Sequence, residues 1–475
     1  MSVKDYCYFD NNATIPTFPS VTTLVNSVAE CGNTSGINPV AKHWQTKAAE
    51  FEGILRSELC APEKLYEIIW VSGSTEANNM VIEMFCVGHP GAVIITTKIE
   101  HKCLISSAEQ AAQLFGASVY YVSPLIDGTI LPDDIFAAVR YAVKNHPSQP
   151  ILVAIMHANN ETGAINSIQR IARGVKSIAP GSFIYVDCAQ TLGKLHITLG
   201  DVREIPKNII GVKTTAGVIR VTDPMDIYDY MGTTPIPIIV DSATGYVDER
   251  LDVECLIDGM CGSAHKTGGP FGVGLLVISR RFLAHKKFVP IAGGQNYNLR
   301  GGTYNMPGII GFRESMLQMA KYHDKSAASS LSGKGVIFRK LREANIPIFR
   351  YIDYLSATTK PDKCFVYFET NDIADTLPGT LLCSVVYNSC IISVCNIKLR
   401  KRFEDAGIIV SVGSACNASG EGMSHVLKAM NCPKEVGVGV LRISSYMNPR
   451  GDYEKVGDVL VNIFGSLRGV CVAKK

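Results

Sequence analysis

Regular alternation between two kinds of segment, from residue 20 to residue 186, is the feature that most restricts the fold of this chain. Apolar residues at helical spacing predict helices over residues 21–31, 40–59, 75–85, 102–114, 133–144 and 168–178. Short runs rich in β-branched residues predict strands over residues 66–71, 92–97, 118–122, 150–156 and 182–186, and another over 271–279. Such alternation is typical of right-handed βαβ units. We therefore predict an α/β fold with a mostly parallel sheet between two layers of helices.

The length of 475 residues predicts more than one domain, because a single hydrophobic core stops growing at roughly 250–300 residues. Residues 197–252 contain four prolines and interrupt the alternation, so we interpret them as an insertion. A helix from Gly308 to about His323 leads into a smaller α/β domain. Its predicted strands lie near residues 365–368, 381–394 and 408–412, and its helices near 396–405, 423–430 and 452–467. The predicted division is an N-terminal segment (1–18) that packs with the small domain, a large domain (19–310) and the small domain (311–475).

The composition argues against several classes of partner. The 46 basic and 43 acidic residues give a formal net charge of +3, too balanced for a protein whose main partner is nucleic acid or an anionic membrane. The longest apolar stretch, residues 381–397, is interrupted by polar residues, whereas a spanning helix needs about 20 apolar residues. The fifteen cysteines are scattered, odd in number and without a Cys-x-x-Cys pair. We expect a cytoplasmic protein with most cysteines buried and reduced, and we assign no metal site.

Polar side chains follow several of the predicted strands at the point where each strand ends. In chain order, these residues are Ser74, Thr75, His101, Asn159, Asn160 and Asp187. In open α/β sheets, ligands bind in the crevice beyond the carboxyl ends of the strands. The shared position of these residues predicts a ligand site at this edge of the sheet.

The segment from Gly73 to Glu76 follows a strand and begins a helix, which allows two interpretations. Free backbone N–H groups at a helix start, with a Ser or Thr hydroxyl beside them, suit a phosphate. Alternatively, Thr75 is an ordinary helix cap with Glu76 in the first turn. The local pattern favours the cap.

Lys266 and Asp187 each have a chemical and a structural interpretation. Lys266 lies among small residues (Ser263, Ala264 and Gly268), where a lysine can lose water and its pKa can fall toward nucleophilic use, although most lysines lie on the surface. Asp187 is either a helix cap or ion-pair partner, or the carboxylate that keeps a pyridine nitrogen protonated.

Cys416 and Arg442 lie in the predicted small domain. Cys416 belongs to a small, polar, glycine-bearing loop, where a reactive thiol is reachable, whereas most of the other cysteines lie in apolar runs. Arg442 interrupts an apolar strand, so it is either one half of a structural ion pair or a clamp for a substrate carboxylate.

With these residues in order, the chain resembles the NifS-like cysteine desulfurases, in the class V aminotransferase branch of the fold type I pyridoxal-phosphate enzymes. The resemblance runs almost from end to end. Its motifs are residues 9–14 (Phe-Asp-Asn-Asn-Ala-Thr), 72–79 (Ser-Gly-Ser-Thr-Glu-Ala-Asn-Asn), 100–102 (Glu-His-Lys), 156–163 (Met-His-Ala-Asn-Asn-Glu-Thr-Gly), 186–190 (Val-Asp-x-Ala-Gln), 263–266 (Ser-x-His-Lys), 300–305 (Arg-x-Gly-Thr-x-Asn), 413–416 (Gly-Ser-Ala-Cys) and 424–427 (Ser-His-Val-Leu).

The resemblance implies a fold type I architecture, with a mostly parallel seven-stranded sheet in the large domain, and a role for each site residue. Lys266 would bind pyridoxal 5'-phosphate covalently, and His101 would stack on its ring. Asp187 would pair with the ring nitrogen and Gln190 with the ring hydroxyl. The phosphate would be held by Ser74, Thr75, Ser263, His265 and, from the other subunit of a homodimer, Thr303. Asn160 and Arg442 would orient the substrate, and Cys416 would accept its sulfur as a persulfide.

The activity implied is cysteine desulfuration, with L-cysteine as substrate and a sulfur acceptor or iron–sulfur scaffold protein as a further partner. Two alternatives remain open: a selenocysteine lyase or other enzyme of the same branch, and a non-catalytic binding descendant. The chain departs from the usual family pattern at Asn38, Phe271 and Asn296, none of which removes a catalytic part.

Overall fold

The structure is a computed structural model of the chain. It describes residues 5–28, 31–202, 209–214, 217–220, 238–241, 253–285, 294–370, 376–389, 392–413 and 423–473. None of the helices in these ranges is both long enough and apolar enough to span a membrane.

A seven-stranded sheet forms the centre of the large α/β unit. Its strands, in spatial order, are Tyr66–Val71, Gly274–Ser279, Gly259–Ser263, Phe183–Asp187, Ile151–Met156, Val93–Thr97 and Ser118–Val122. Six of these strands run parallel, and Gly274–Ser279 is antiparallel to both of its neighbours. The predicted mostly parallel sheet is confirmed. The strand predicted over residues 271–279 is shorter, because it begins at Gly274.

The inner strand Gly259–Ser263, third in the sheet, was missing from the sequence-based prediction. Its sequence, Gly-Met-Cys-Gly-Ser, contains no β-branched residue, so propensity gives no strand signal there. It is buried throughout and pairs in parallel with Phe183–Asp187, which places the residues that follow it next to Asp187.

Helices cover both faces of this sheet, as alternation of the strand side chains shows. Ile68 and Trp70 belong to one hydrophobic cluster, whereas Ile69 and Val71 belong to another on the opposite face. The helices of this unit include Pro19–Ser27, Pro39–Glu58, Ser74–Gly88, Lys102–Phe115, Pro132–Asn145, Ile168–Ile178 and the short Arg280–Ala284. The helix predicted to end near His323 is wrong in length: it spans Met306–Glu343, and its second half buries Val336, Ile337 and Leu341.

A second, four-stranded sheet follows, with the spatial order Ile348–Arg350, Lys363–Phe368, Thr380–Tyr387 and Val440–Ser444. Its helices are Tyr351–Ser356, Asn396–Asp405, His425–Ala429, Lys434–Gly437 and Arg450–Gly465. Near the start of the chain, Cys7–Tyr8 pairs in parallel with Ile408–Ile409. This smaller α/β unit agrees with the predicted architecture, while the domain boundaries near residues 18 and 310 stay predictions.

The described parts of the predicted insertion contain strands. Ile238–Asp241, Ile209–Thr214 and Gly217–Arg220 form an antiparallel three-stranded sheet, and Gly200–Val202 pairs with Val253–Cys255.

Candidate active site

A cavity of about 450 Å³ lies beyond the carboxyl ends of the parallel strands. The structure brings nearly all of the predicted site residues to its wall. They are Ser74, Thr75, His101, Asn160, Asp187, Gln190, Ser263, His265, Lys266 and Arg442. The predicted convergence of polar side chains at this edge of the sheet is therefore observed.

Asp187 is the last residue of a fully buried strand, and its carboxylate points into a polar network. Its Oδ2 accepts a hydrogen bond from Asn78 Nδ2 at 2.8 Å, and its Oδ1 accepts one from the backbone N–H of Ala189 at 2.9 Å. The side chain neither forms an ion pair in the described chain nor caps a helix, so neither structural interpretation accounts for it. A buried carboxylate held by neutral donors is available to a cationic ligand group.

Lys266 lies in the 3₁₀ turn Ala264–Thr267, which directly follows the strand Gly259–Ser263 and ends at Gly268 with φ 74°. Its Nζ donates to the carbonyl oxygens of Asn12 at 2.5 Å and Ala13 at 2.8 Å. Burial, together with the positive charges of Lys194 and Arg442, lowers the pKa of Lys266 to about 7. A large share of this amine is therefore unprotonated, and nucleophilic, at neutral pH.

The start of helix Ser74–Gly88 does not have the predicted cap. The N-cap residue is Gly73, which has no side chain to satisfy the free N–H groups of the first turn. Instead, the Ser74 N–H donates to Ser263 Oγ at 2.7 Å, and the two serine hydroxyls lie 3.0 Å apart. The interpretation of Thr75 as the cap is wrong, and the arrangement is one that suits an anion.

The backbone of Gly274 lies in close contact with the residues beside this serine pair. A Cβ atom added at Gly274 would lie 2.7 Å from Gly73 Cα and 2.5 Å from the Gly262 carbonyl oxygen. Only glycine fits there without displacing backbone, so the strand Gly274–Ser279 supports the first turn of the helix directly.

Two histidines lie on the cavity wall. His101 is the N-cap of helix Lys102–Phe115, and its ring is open to the cavity while the surrounding protein removes enough water to lower its pKa. His265 stacks on Phe271 with ring centroids 5.6 Å apart, and burial lowers its pKa to about 4. Both rings are therefore predominantly neutral at physiological pH.

Arg442 closes the side of the cavity formed by the smaller sheet. Its Nη1 donates to the Asn160 carbonyl oxygen at 2.8 Å, and its Nη2 pairs with Asp10 at 2.5 Å. Its Nε is buried and has no partner among the described residues. The structure is thus compatible with both predicted roles for Arg442. The arginine forms the ion pair with Asp10, and its Nε is left without a partner among the described residues.

One predicted site residue does not line this cavity, and another lies outside the described residues. Thr303 is exposed and lies away from the cavity of its own chain. Cys416 lies outside the described residues, which stop at Gly413 and resume at Met423. Conversely, Asn12, Asn78 and Cys103 belong to the site but were not assigned a role from sequence. Asn12 and Asn78 belong to the motifs at residues 9–14 and 72–79, so those motifs could have indicated that both residues lie at the site.

Comparison with known proteins identifies the family. The model of the aminotransferase class-V family matches residues 7–204 and 208–377. The chain belongs to this family, whose members use pyridoxal 5'-phosphate.

Similar proteins cover nearly the whole chain. Cysteine desulfurase IscS of Dictyoglomus turgidum is 27% identical over 478 residues, which cover 100% of this chain and 98% of that protein. A solved NifS-like protein superposes with a TM-score of 0.70 at 22% identity, covering 97% of this chain and 99% of that chain. A structure of SspA in complex with cysteine has a TM-score of 0.63 at 22% identity, with 92% and 98% covered. The predicted resemblance and fold class are confirmed.

The side chains that line the cavity fit the family's cofactor in their charges and unsatisfied atoms. Gln190 donates through Nε2 to the Asn12 carbonyl oxygen at 2.9 Å, while its buried Oε1 has no partner in the described chain. That oxygen is a ready acceptor for a ring hydroxyl. The open helix start at Ser74 suits a phosphate, Asp187 suits a protonated ring nitrogen, and Lys266 supplies an amine for an aldehyde.

Proposed function

We propose that this protein is a homodimeric cysteine desulfurase that converts L-cysteine to L-alanine and carries the released sulfur as a persulfide on Cys416. One observation supports this proposal above the others. Lys266, an amine with a pKa of about 7, shares one cavity with the Asp187 carboxylate and the Arg442 guanidinium. The relative from Dictyoglomus turgidum is named a cysteine desulfurase and matches from end to end.

Bound pyridoxal 5'-phosphate would supply an electron sink next to the substrate amino group. Asp187 would keep the proton on the ring nitrogen, and Gln190 Oε1 would accept from the ring hydroxyl. The Ser74 and Ser263 hydroxyls, with Thr75 and His265, would hold the phosphate. Thr303, exposed on its own chain, would complete this end of the pocket in the partner's site.

Lys266 and Arg442 would act on the substrate itself. With a pKa of about 7, the Lys266 amine can remove a proton from the substrate Cα and return one within the same turnover. The Arg442 guanidinium, already oriented by Asp10 and the Asn160 carbonyl, would bind the substrate carboxylate.

Cys416 would take the sulfur by attack of its thiolate on the substrate sulfur. A sulfur–sulfur bond forms as the carbon–sulfur bond breaks, and the electron pair of that bond stays with the substrate carbon. Protonation of that carbon yields alanine, and the enzyme is left with the persulfide for an acceptor protein. No external oxidant or reductant is needed at this step.

Two variants test this proposal. Lys266→Ala should lose the visible absorbance of covalently bound pyridoxal phosphate. Cys416→Ala should keep that absorbance but lose alanine formation from cysteine. Cys383→Ala, which removes a buried thiol of the smaller sheet, is the matched control and should keep both properties. Full alanine formation by Cys416→Ala would overturn the proposed sulfur transfer.

A further inference from the structure

Cys103 is the only cysteine among the described residues that lines the active-site cavity. It occupies the second position of helix Lys102–Phe115, two residues after the N-cap His101. The resemblance assigns roles in the proposed desulfuration to Lys266, His101 and Cys416, but none to this thiol.

A chain of hydrogen bonds connects Cys103 with the strand-end acid. Asn78 Nδ2 lies 2.8 Å from Asp187 Oδ2 and 3.2 Å from Cys103 Sγ. Cys103 Sγ in turn lies 2.9 Å from His101 Nδ1. The backbone N–H of Cys103 donates to the same Nδ1, at 3.3 Å. The thiol is thus the side-chain link between Asp187 and the imidazole.

The direction of each bond follows from the chemistry of the partners. Asn78 is a donor to both neighbours, because a carboxylate oxygen only accepts and Nδ2 has two hydrogens. The sulfur of Cys103 therefore accepts from Asn78, and its own hydrogen is free to donate to His101 Nδ1. Nδ1 then receives two donors and must carry a lone pair, which places the hydrogen of the neutral ring on Nε2.

We propose that Cys103 is a positioning residue that holds His101 in its neutral form with the hydrogen on Nε2. This inference rests on the proposed function for the importance of His101, but the hydrogen bonds that carry it do not. It implies that Nε2, the nitrogen not engaged by helix or thiol, is the one that donates to a bound ligand. Protonation of Nδ1 would break both donor contacts, so the arrangement opposes formation of the imidazolium.

The charges around His101 are consistent with this role. Burial of the ring lowers its pKa, the carboxylate of Asp187 opposes that shift, and the positive charges of Lys266, His425 and Lys102 add to it. Burial also raises the pKa of the Cys103 thiol, so that its hydrogen stays in place at neutral pH. A thiol in this state is a poor nucleophile, which argues against Cys103 as a second sulfur acceptor.

Histidine titration by NMR tests the proposal without using activity. The full-length protein, labelled with ¹³C at histidine Cε1, contains ten histidines, and His101→Gln identifies the signal of His101. Cys103→Ala should raise the pKa of His101 by about 0.5–1 pH unit, the effect of one lost hydrogen bond to the neutral ring. Cys103→Ser keeps a hydroxyl donor and should restore the original pKa to within about 0.2 unit.

Cys86→Ala is the matched control, because Cys86 is a buried cysteine of a neighbouring helix outside the cavity. It should leave the His101 titration unchanged. An unchanged His101 pKa in folded Cys103→Ala, or an equal shift in Cys86→Ala, would overturn the proposal. The titration is recorded with and without pyridoxal phosphate, so its outcome is independent of whether Cys416→Ala abolishes alanine formation.

Discussion

Arg442 Nη2 lies 2.5 Å from Asp10 Oδ1, although 432 residues separate the two positions along the chain. The arginine side chain is only 4% exposed, so this ion pair is shielded from solvent screening on one side. It fixes the guanidinium at the cavity wall, with Nη1 held by the Asn160 carbonyl oxygen.

Replacing Arg442 with lysine should raise the KM for L-cysteine by at least about tenfold, because a single ammonium cannot contact Asp10, Asn160 and a carboxylate in the planar geometry of arginine. Steady-state kinetics measure the effect. Arg339→Lys is the control, since Arg339 forms an exposed pair with Glu454 at 3.8 Å. A normal KM in folded Arg442→Lys would rule out the clamp.

Gly274→Ala should weaken cofactor binding. The added Cβ would meet the backbone of Gly262 and Gly73, so the first turn of helix Ser74–Gly88 must move away from Ser263. We expect the dissociation constant for pyridoxal phosphate to rise by about tenfold or more, measured by absorbance titration. Gly181→Ala meets no atom within 4 Å and should bind the cofactor normally. Equal affinities for both variants would contradict the proposed binding of the phosphate by Ser74 and Ser263 at the helix start.

Lys194→Met should make the Lys266 amine more basic. The charge of Lys194 lowers the pKa of Lys266 to a degree second only to burial, so its removal moves that pKa upward from about 7. The rate at which the cofactor-free protein captures pyridoxal phosphate should then rise at a higher pH than in the wild type.

Lys334→Met provides the comparison for that shift. Burial lowers the pKa of Lys334 to about 8, but its charge is not among those acting on Lys266. Capture by this variant should follow the wild-type pH profile. An unshifted profile in Lys194→Met would show that burial alone sets the basicity of Lys266.

Glu100→Gln should remove a pH dependence of stability. Burial raises the pKa of Glu100 from 4.5 to about 8, so the folded protein holds a proton that the unfolded chain releases above pH 4.5. The contribution of protonated Glu100 to the free energy of unfolding is therefore fully present below pH 4.5. It is lost as pH rises through 8, and the loss is at most about 5 kcal/mol. Thermal unfolding between pH 5 and 9 should show a steeper decline in Tm for wild type than for Glu100→Gln. Exposed Glu63→Gln should behave like wild type.

Much of this site was predictable because the polar residues follow strands of one parallel sheet. Asp187 and His101 could be placed at a common edge from the alternation of strands and helices alone. The strand Gly259–Ser263 was not predictable in this way. It packs between two neighbouring strands, and its residues have low β propensity. The contact between Asn12 and Lys266 uses a backbone carbonyl, for which no side-chain pattern exists.

The hydrogen bond between Asn78 and the Cys103 thiol also could not be predicted from the sequence. Cys103 is one of fifteen cysteines, and nothing in its neighbourhood distinguishes it until helix Lys102–Phe115 brings it beside Asn78. Helix periodicity places both residues on helices, but the contact between the two helices decides which side chains meet.

The first residues of the chain bear on how the enzyme is made. Asp10 pairs with Arg442, and the Asn11 N–H donates to the Ser444 carbonyl oxygen at 3.1 Å. Asp10 is translated long before Arg442, and all seven strands of the larger sheet lie between them in the chain, so that sheet emerges from the ribosome before this wall of the pocket can form. Nascent chains that have not yet gained the strand Val440–Ser444 lack the pocket wall that carries Arg442, so the arginine proposed to bind the substrate carboxylate is absent until that strand is made.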